Sequence, residues 1–272
     1  MKQMLPALAL ALTAIFSVNA AQADDAALHA AVTGSQRTPA NAQRDSARHP
    51  EATLAFFGLK PTQTVVELIP GGGWYTEILA PYLHDKGQLV EAGNDPDGGS
   101  EGARRGAARF KAKLDAQPEV YGHVKLGVFD ADAGKFELGK PGSADMVLTF
   151  RNIHNWVALS DGKTQAAFKA MFAVLKHGGV LGVEEHRLPA GMEQQDKAPT
   201  GYLHEAYVIK MAESVGFKLA ARSEINANPK DKADHPNGVW ALPPTFANKD
   251  ANRAEYEAIG ESDRMTLKFV KP

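Results

Sequence analysis

Two short stretches of this chain carry residue types able to do chemistry. The first, Arg151-Asn152-Ile153-His154-Asn155-Trp156, gathers an arginine, two asparagines, a histidine and a tryptophan. His154 is a candidate base, because an unperturbed imidazole titrates near neutrality. Asn152 and Asn155 can position a ligand, and Arg151 can grip an acidic one. The plainer alternative has His154 capping the next helix and Trp156 filling the core. The second stretch is Gly71-Gly72-Gly73, entered from Pro70 and left through Trp74, Tyr75 and Thr76. Glycines let a backbone approach a ligand closely, and N–H groups at a helix start are open to polar or anionic groups. Glycines also mark ordinary tight turns. A third polar group, Glu184-Glu185-His186, holds ordinary metal-ligand types. No His-Glu-x-x-His spacing accompanies it, and no metal site is expected.

The elements that must position these residues alternate along the chain. Strand patterns run over 64–69, 88–92, 123–129, 144–150, 179–184, 217–225 and 264–270, with helical patterns at 75–83, 101–116, 163–175 and 203–215 between them. Val65-Val66 and Met146-Val147-Leu148 are apolar without alternation, as in strands covered by helices on both faces. The alternation predicts a doubly wound, mostly parallel α/β sheet. Ligands in such sheets bind outside the carboxyl ends of the strands, so the glycine turn and the Arg151–Trp156 cluster should share one crevice. A helix is expected over 45–58, stopped by Gly58 and Pro61, after a short helix and mobile connector at 24–44. Arg44, Asp45 and Arg48 read as a solvated charged face. The proline-rich region 226–261 is either a lid over the site or a surface loop.

Bulk properties narrow the partners. The 272 residues are 44% hydrophobic and 23% charged, and the net charge of −2 favours neither a nucleic-acid backbone nor an anionic membrane. Lys2, the apolar run from Leu5 to Val18, and Ala21-Gln22-Ala23 fit an export signal at 1–23 cut after Ala23, so a periplasmic or secreted chain is expected, with no stable membrane insertion. The chain has no cysteine, which excludes disulfides, thiolate catalysis and cysteine-ligated zinc.

The glycines do not follow the G-x-G-x-x-G dinucleotide spacing, which weakens a nicotinamide-linked reading, and no Gly-Lys-Ser/Thr of a P-loop follows them. Val65-Val66-Glu67-x-x-Pro70-Gly71-x-Gly73 instead resembles the first motif of class I S-adenosylmethionine-dependent methyltransferases. The likeness continues through Ala144–Phe150, through 168–181, and through 212–217 with the late strand 264–270, covering essentially all of 45–272. Within that family, 70–76 and 150–156 are most similar to a bacterial subgroup of often exported methyltransferase-like proteins. The resemblance implies a seven-stranded Rossmann-like sheet with its last strand antiparallel, and S-adenosylmethionine as cofactor. It places Glu67 at the end of the first strand, Gly71 and Gly73 along the methionine part, and Asp130 near the adenine. Gly72, Trp74, Tyr75 and Thr76 complete the cofactor turn. Two positions depart from the pattern: Ile69 replaces the first glycine, and Gly93 stands where an acid usually holds the ribose, with Asn94 or Asp95 as substitutes. Methyl transfer to a small-molecule acceptor would use His154 as base, Asn152, Asn155 and Arg151 to hold the acceptor, and Trp74, Tyr75 or Trp156 as a π-face for the sulfonium. The alternative is a catalytically inactive relative that binds a periplasmic small ligand.

Overall fold

The computed structural model describes residue 22 and residues 24–272. The expected export signal lies outside the described residues, apart from Gln22. No helix among the described residues is long and apolar enough to cross a membrane.

The chain opens with α1 (24–33), α2 (Pro39–Ala42), α3 (Asp45–Arg48) and α4 (Pro50–Phe57). The single helix expected over 45–58 is two, because His49 takes a left-handed conformation (φ 42°). Pro50 follows it, and a residue before proline is pushed out of the α region. The sheet units come next: β1 (Thr64–Leu68), α5 (Thr76–Leu83), β2 (Gln88–Gly93), α6 (Glu101–Asp115), α7 (Pro118–Tyr121), β3 (Lys125–Asp130) and β4 (Lys135–Glu137). They continue with β5 (Ala144–Phe150), α8 (Ile153–Leu159), α9 (Asp161–Val174), β6 (Leu175–His186), α10 (Glu205–Ser214) and β7 (Lys218–Ser223). A 3₁₀ turn (Gly238–Ala241), α11 (Arg253–Ile259) and β8 (Arg264–Val270) close the chain.

The strands form one sheet in the order β4-β3-β2-β1-β5-β6-β8-β7. The inner pairs are parallel, and β8 runs antiparallel between β6 and β7, as expected for the last strand. The expected seven strands are eight. The addition is β4, three residues antiparallel to β3 at the sheet edge, too short to show a periodicity. Val66 and Leu68 of β1 enter the core on one face with α8, α9 and α10, while Val65 enters a second core with α4 and α5. Covered on both faces, β1 has no solvent face to show, which is why Val65-Val66 breaks the apolar–polar alternation. Its neighbours β2 and β5 lie on opposite sides, so the connections diverge above its carboxyl end and leave a crevice there.

Helix α4 reaches the sheet because β6 carries a glycine beneath it. A Cβ on Gly182 would sit 2.7 Å from Leu148 Cδ2 and 2.8 Å from Phe57 Cγ. Gly182→Val is expected to destabilise the fold by about 1–3 kcal/mol through overpacking. Chemical denaturation reads this directly, and an unchanged midpoint would show that α4 does not pack as described.

Candidate functional site

The crevice above β1 is entered through the glycine turn. Gly71 (φ 61°) and Gly73 (φ 80°) are left-handed, and so is Ile69 (φ 47°), where the family pattern has glycine. A β-branched residue at positive φ is strained, and such strain persists only where surroundings over-determine it. Here the Ile69 N–H donates to Ala92 O at 2.8 Å, extending the β1–β2 ladder by one bond. A Cβ at Gly71 or Gly72 would meet nothing within 4 Å, so the space over the turn is open. Gly73 is tighter: its Cβ would lie 3.2 Å from Lys113 Nζ and from Phe110 Cε2. Lys113 donates to Gly72 O at 2.8 Å and to Glu77 Oε1 at 2.7 Å, which pins α6 to the turn.

A cavity of about 480 Å³ runs from this turn between α6 and the β2–β3 face. Ile69, Pro70, Gly71, Gly93 and Asn94 line its mouth, and Glu91 lies along it. Its volume is that of an ordinary small-molecule site. Glu91 and Glu67 are paired in register across β1 and β2, and both are buried. Glu67 accepts the Thr76 hydroxyl at 3.1 Å. The Glu91 carboxyl is equally buried and is hydrogen-bonded to that of Glu67. Burial raises Glu67 to about 7, against hydrogen bonds from Glu91 and Thr76 that lower it. Burial, and then the Glu67 charge, push Glu91 well above the usual carboxyl range. The two acids therefore titrate as a pair that holds a proton between them.

A second cavity, of about 310 Å³, lies at the carboxyl ends of β5 and β6. Its floor is an ion-pair network around Glu184, which is fully buried. Glu184 accepts Arg151 Nη1 at 2.5 Å, Arg264 Nη1 at 3.1 Å and the Tyr75 hydroxyl at 3.1 Å. Burial alone would raise this carboxyl; Arg151, Arg264 and Arg48 outweigh it and hold it below the usual value. Arg151 is itself left-handed (φ 59°), fixed by its N–H to Glu184 O at 2.7 Å. Glu261 binds Arg44 Nε at 2.7 Å and Arg48 Nε at 3.0 Å, bringing α3 to the pocket wall.

Glu185 holds the histidine. Its Oε2 accepts the N–H groups of Ile153 (2.6 Å) and His154 (3.3 Å) at the start of α8. Its Oε1 accepts the His186 N–H at 2.9 Å and lies 2.9 Å from His154 Nδ1. With Nδ1 engaged by the carboxylate, Nε2 is the nitrogen of His154 left for chemistry. His186 Nδ1 lies 2.6 Å from Ser262 Oγ. Burial, and then the neighbouring His154 and arginines, lower His186 well below an ordinary histidine.

The sequence-derived candidates thus divide. Arg151, His154 and Asn155 line the second cavity, and Gly71 and Asn94 line the first. Asn152 ties the two strand ends together, donating from Nδ2 to Leu68 O at 3.0 Å and Thr149 Oγ1 at 3.3 Å. Asp130 lies outside both linings and accepts the Ala133 N–H at 2.9 Å. The expected π-faces are taken. Trp74 carries the guanidiniums of Arg37 and Arg48 over its ring and donates to Asn41 O; Tyr75 stacks on Phe150 at 3.6 Å; Trp156 packs on Phe129 and Phe168. Arg44 and Arg48 are not a solvated face: Arg48 is buried and both wall the second cavity. Asp95 is held by Lys135 at 3.0 Å and is not free for a ligand. Sequence reading missed Glu91, Glu261, Ser262 and Trp240. Glu91 had one usable signal, its place two residues before Gly93 on the same face of β2.

No protein-family model matches the chain, and no curated protein sequence matches it. Among solved structures it is similar to an S-adenosylmethionine-dependent methyltransferase of Aquifex aeolicus, with 17% identity and a TM-score of 0.54 over 70% of this chain and 89% of that one. It is also similar to the cyclase SpnF, with 17% identity and a TM-score of 0.56 over 88% and 86% of the two chains. At such identities the likeness establishes the fold. The chain has the mixed α/β Rossmann-like fold of the S-adenosylmethionine-dependent methyltransferases.

The buried acid pair sets a pH dependence. The folded chain keeps protons that the unfolded chain releases above about 4.5, so stability falls as pH rises through about 7. Glu91→Gln is expected to lose less stability than the wild type between about pH 5 and about pH 8. Urea denaturation at the two values checks this, and identical losses would show that Glu91 is not held protonated.

Proposed function

We propose that the chain is an S-adenosylmethionine-dependent methyltransferase acting on a small-molecule acceptor. The observation that carries the reading is the open glycine turn at the sheet's switch point, with nothing within 4 Å of a Cβ at Gly71 or Gly72 and a ligand-sized cavity beside it. The residues present fit the cofactor in part. Gly71 and Gly72 leave room for its backbone-like end, while Asn94 is the polar side chain on offer to its hydroxyls. Gly93 supplies no acid, and Glu91, on the same strand face, is buried against Glu67. When bound, the cofactor supplies a methyl group on a sulfonium.

The chain's own contribution is alignment and proton handling. His154, oriented by Glu185, takes a proton at Nε2 from an acceptor that carries one, and Glu185 stabilises the resulting imidazolium. Arg151, Arg48 and Asn155 hold the acceptor, and Trp240, Pro243 and Pro244 of region 226–261 cover it from the side. A second reading, a ligand-binding protein of this fold without methyl transfer, is favoured by the Asp95–Lys135 pair and the missing acid at Gly93. We also read the chain as exported and cut after Ala23, in keeping with the exported subgroup it resembles; N-terminal sequencing of the mature protein tests this.

Titration of the mature chain with S-adenosylmethionine and S-adenosylhomocysteine is expected to show saturable binding, which Gly72→Asp abolishes. That side chain enters open space without a positive φ or a neighbour to clash with, so the fold survives it. Absence of saturable binding to the wild type would leave the second reading standing. His154→Ala is expected to lower turnover about 100-fold or more with cofactor affinity kept. Parallel loss of affinity would make His154 a structural residue.

A further inference from the structure

The second cavity gathers more positive charge than the protein neutralises. The guanidiniums of Arg44, Arg48, Arg151 and Arg264 share two carboxylates, Glu184 and Glu261. The third carboxylate, Glu185, is turned to the start of α8 and to His154, so two of the four guanidiniums have no carboxylate of their own, in a place where Arg48 and Arg264 are buried. Uncompensated buried charge is costly, so it signals a partner of opposite sign. Arg48 shows the strain: burial, and then Arg151 beside it, push its guanidinium down to about 9 against the opposing pull of Glu261.

Donors are left over as well. Arg48 uses only Nε, on Glu261, and Arg151 uses only Nη1, on Glu184; their remaining N–H groups meet no acceptor among the described residues. Arg44 Nη2 is buried with no partner among them. Forked guanidinium donors match the two oxygens of a carboxylate or the oxygens of a phosphate. The facing wall is apolar, built from Val239, Trp240, Pro243 and Pro244. Trp240 is 37% exposed, and its ring lies edge-on to His154, 6.0 Å between centroids.

A cation fits the same place poorly. His154, Glu185 and His186 do offer ligand atoms within 4.8 Å of one another. Yet the Glu185 oxygens already accept three backbone N–H groups and face His154 Nδ1. A divalent ion would also add to the positive surplus.

We infer that the second cavity is an anion site, and that the acceptor is a small oxyacid, a carboxylate or phosphate on a flat apolar body, gripped by Arg48 and Arg151 with that body against Trp240. The anion site stands on the charge count and the free donors alone; that its occupant is the methyl acceptor rests on the methyltransferase reading.

The test is a fluorescence titration of the mature chain with benzoate, phenyl phosphate and the neutral benzamide. Trp240 lines the cavity and Trp74 lies against Arg48, so a change in tryptophan emission on binding reports occupancy beside them. Benzoate or phenyl phosphate is expected to bind at least about tenfold more tightly than benzamide, and the tighter of the two names the oxyanion. Salt should weaken the anions and leave benzamide unchanged. Arg151→Gln and Arg48→Gln, each checked for folding by its thermal melt, should each lose about tenfold in anion affinity. If only one variant folds, that one decides together with the salt dependence. Benzamide binding as tightly as both anions, or a folded variant binding them like the wild type, overturns the inference. A chain that binds benzoate but no S-adenosylmethionine keeps the anion site and loses the methyltransferase reading; the reverse result does the opposite.

Discussion

One buried carboxylate organises the carboxyl end of this sheet. Glu184, at the end of β6, takes Tyr75 from the helix that follows the glycine turn, Arg151 from the end of β5, and Arg264 from the start of β8. Each comes from a different element, so no two can shift without leaving a buried charge or hydroxyl unpaired. A single hydrogen bond to a charged group contributes about 1.5–3 kcal/mol, and breaking a buried pair costs more than its presence contributes. The network therefore fixes geometry more than it adds stability. It explains why Arg151 tolerates a left-handed backbone: its N–H and its guanidinium are both bound to the same residue.

Much of this framework was legible in the sequence. Residues 144–150 and 264–270 are strands with the expected limits, the first because Met146-Val147-Leu148 is a short apolar run, the second because Met265, Leu267 and Phe269 alternate with polar residues. The glycine turn was legible for a similar reason, since few other backbones need three glycines between a strand and a helix. The pairing of Leu175 with Ala144 was not, because Lys176-His177-Gly178-Gly179, which has the composition of a turn, bulges out of the ladder before pairing resumes at Val180, with Gly178 left-handed at φ 76°. The polar cluster at 151–156 was found, but four of its six residues wind into α8, with His154 and Trp156 on its buried side.

What the sequence concealed was the pairing. Arg44 and Arg48 look like a surface patch because the carboxylate that neutralises them is not the adjacent Asp45, which pairs with Arg37. Their partner, Glu261, lies 217 and 213 residues away. Region 226–261 was read as a lid or a loop, and in the structure it forms a wall, with Trp240 and the prolines facing the histidine. The aromatic residues told the opposite story. Trp74, Tyr75 and Trp156 sit next to functional positions in sequence, yet each is used up by packing, so adjacency along the chain was a poor guide to availability.

The fastening of the first helices has a consequence for how the pocket comes into being. Trp74 holds Asn41 and carries Arg37 and Arg48 over its ring, while Arg264 reaches the carbonyl of Ala47. The sheet core is assembled from neighbouring βα units, but the second cavity is closed only where the beginning of the chain meets its end. Contacts of such sequence separation carry the largest loop-closure entropy and form slowly. The central sheet can thus be complete while this pocket is still open, and binding competence becomes a late event in folding.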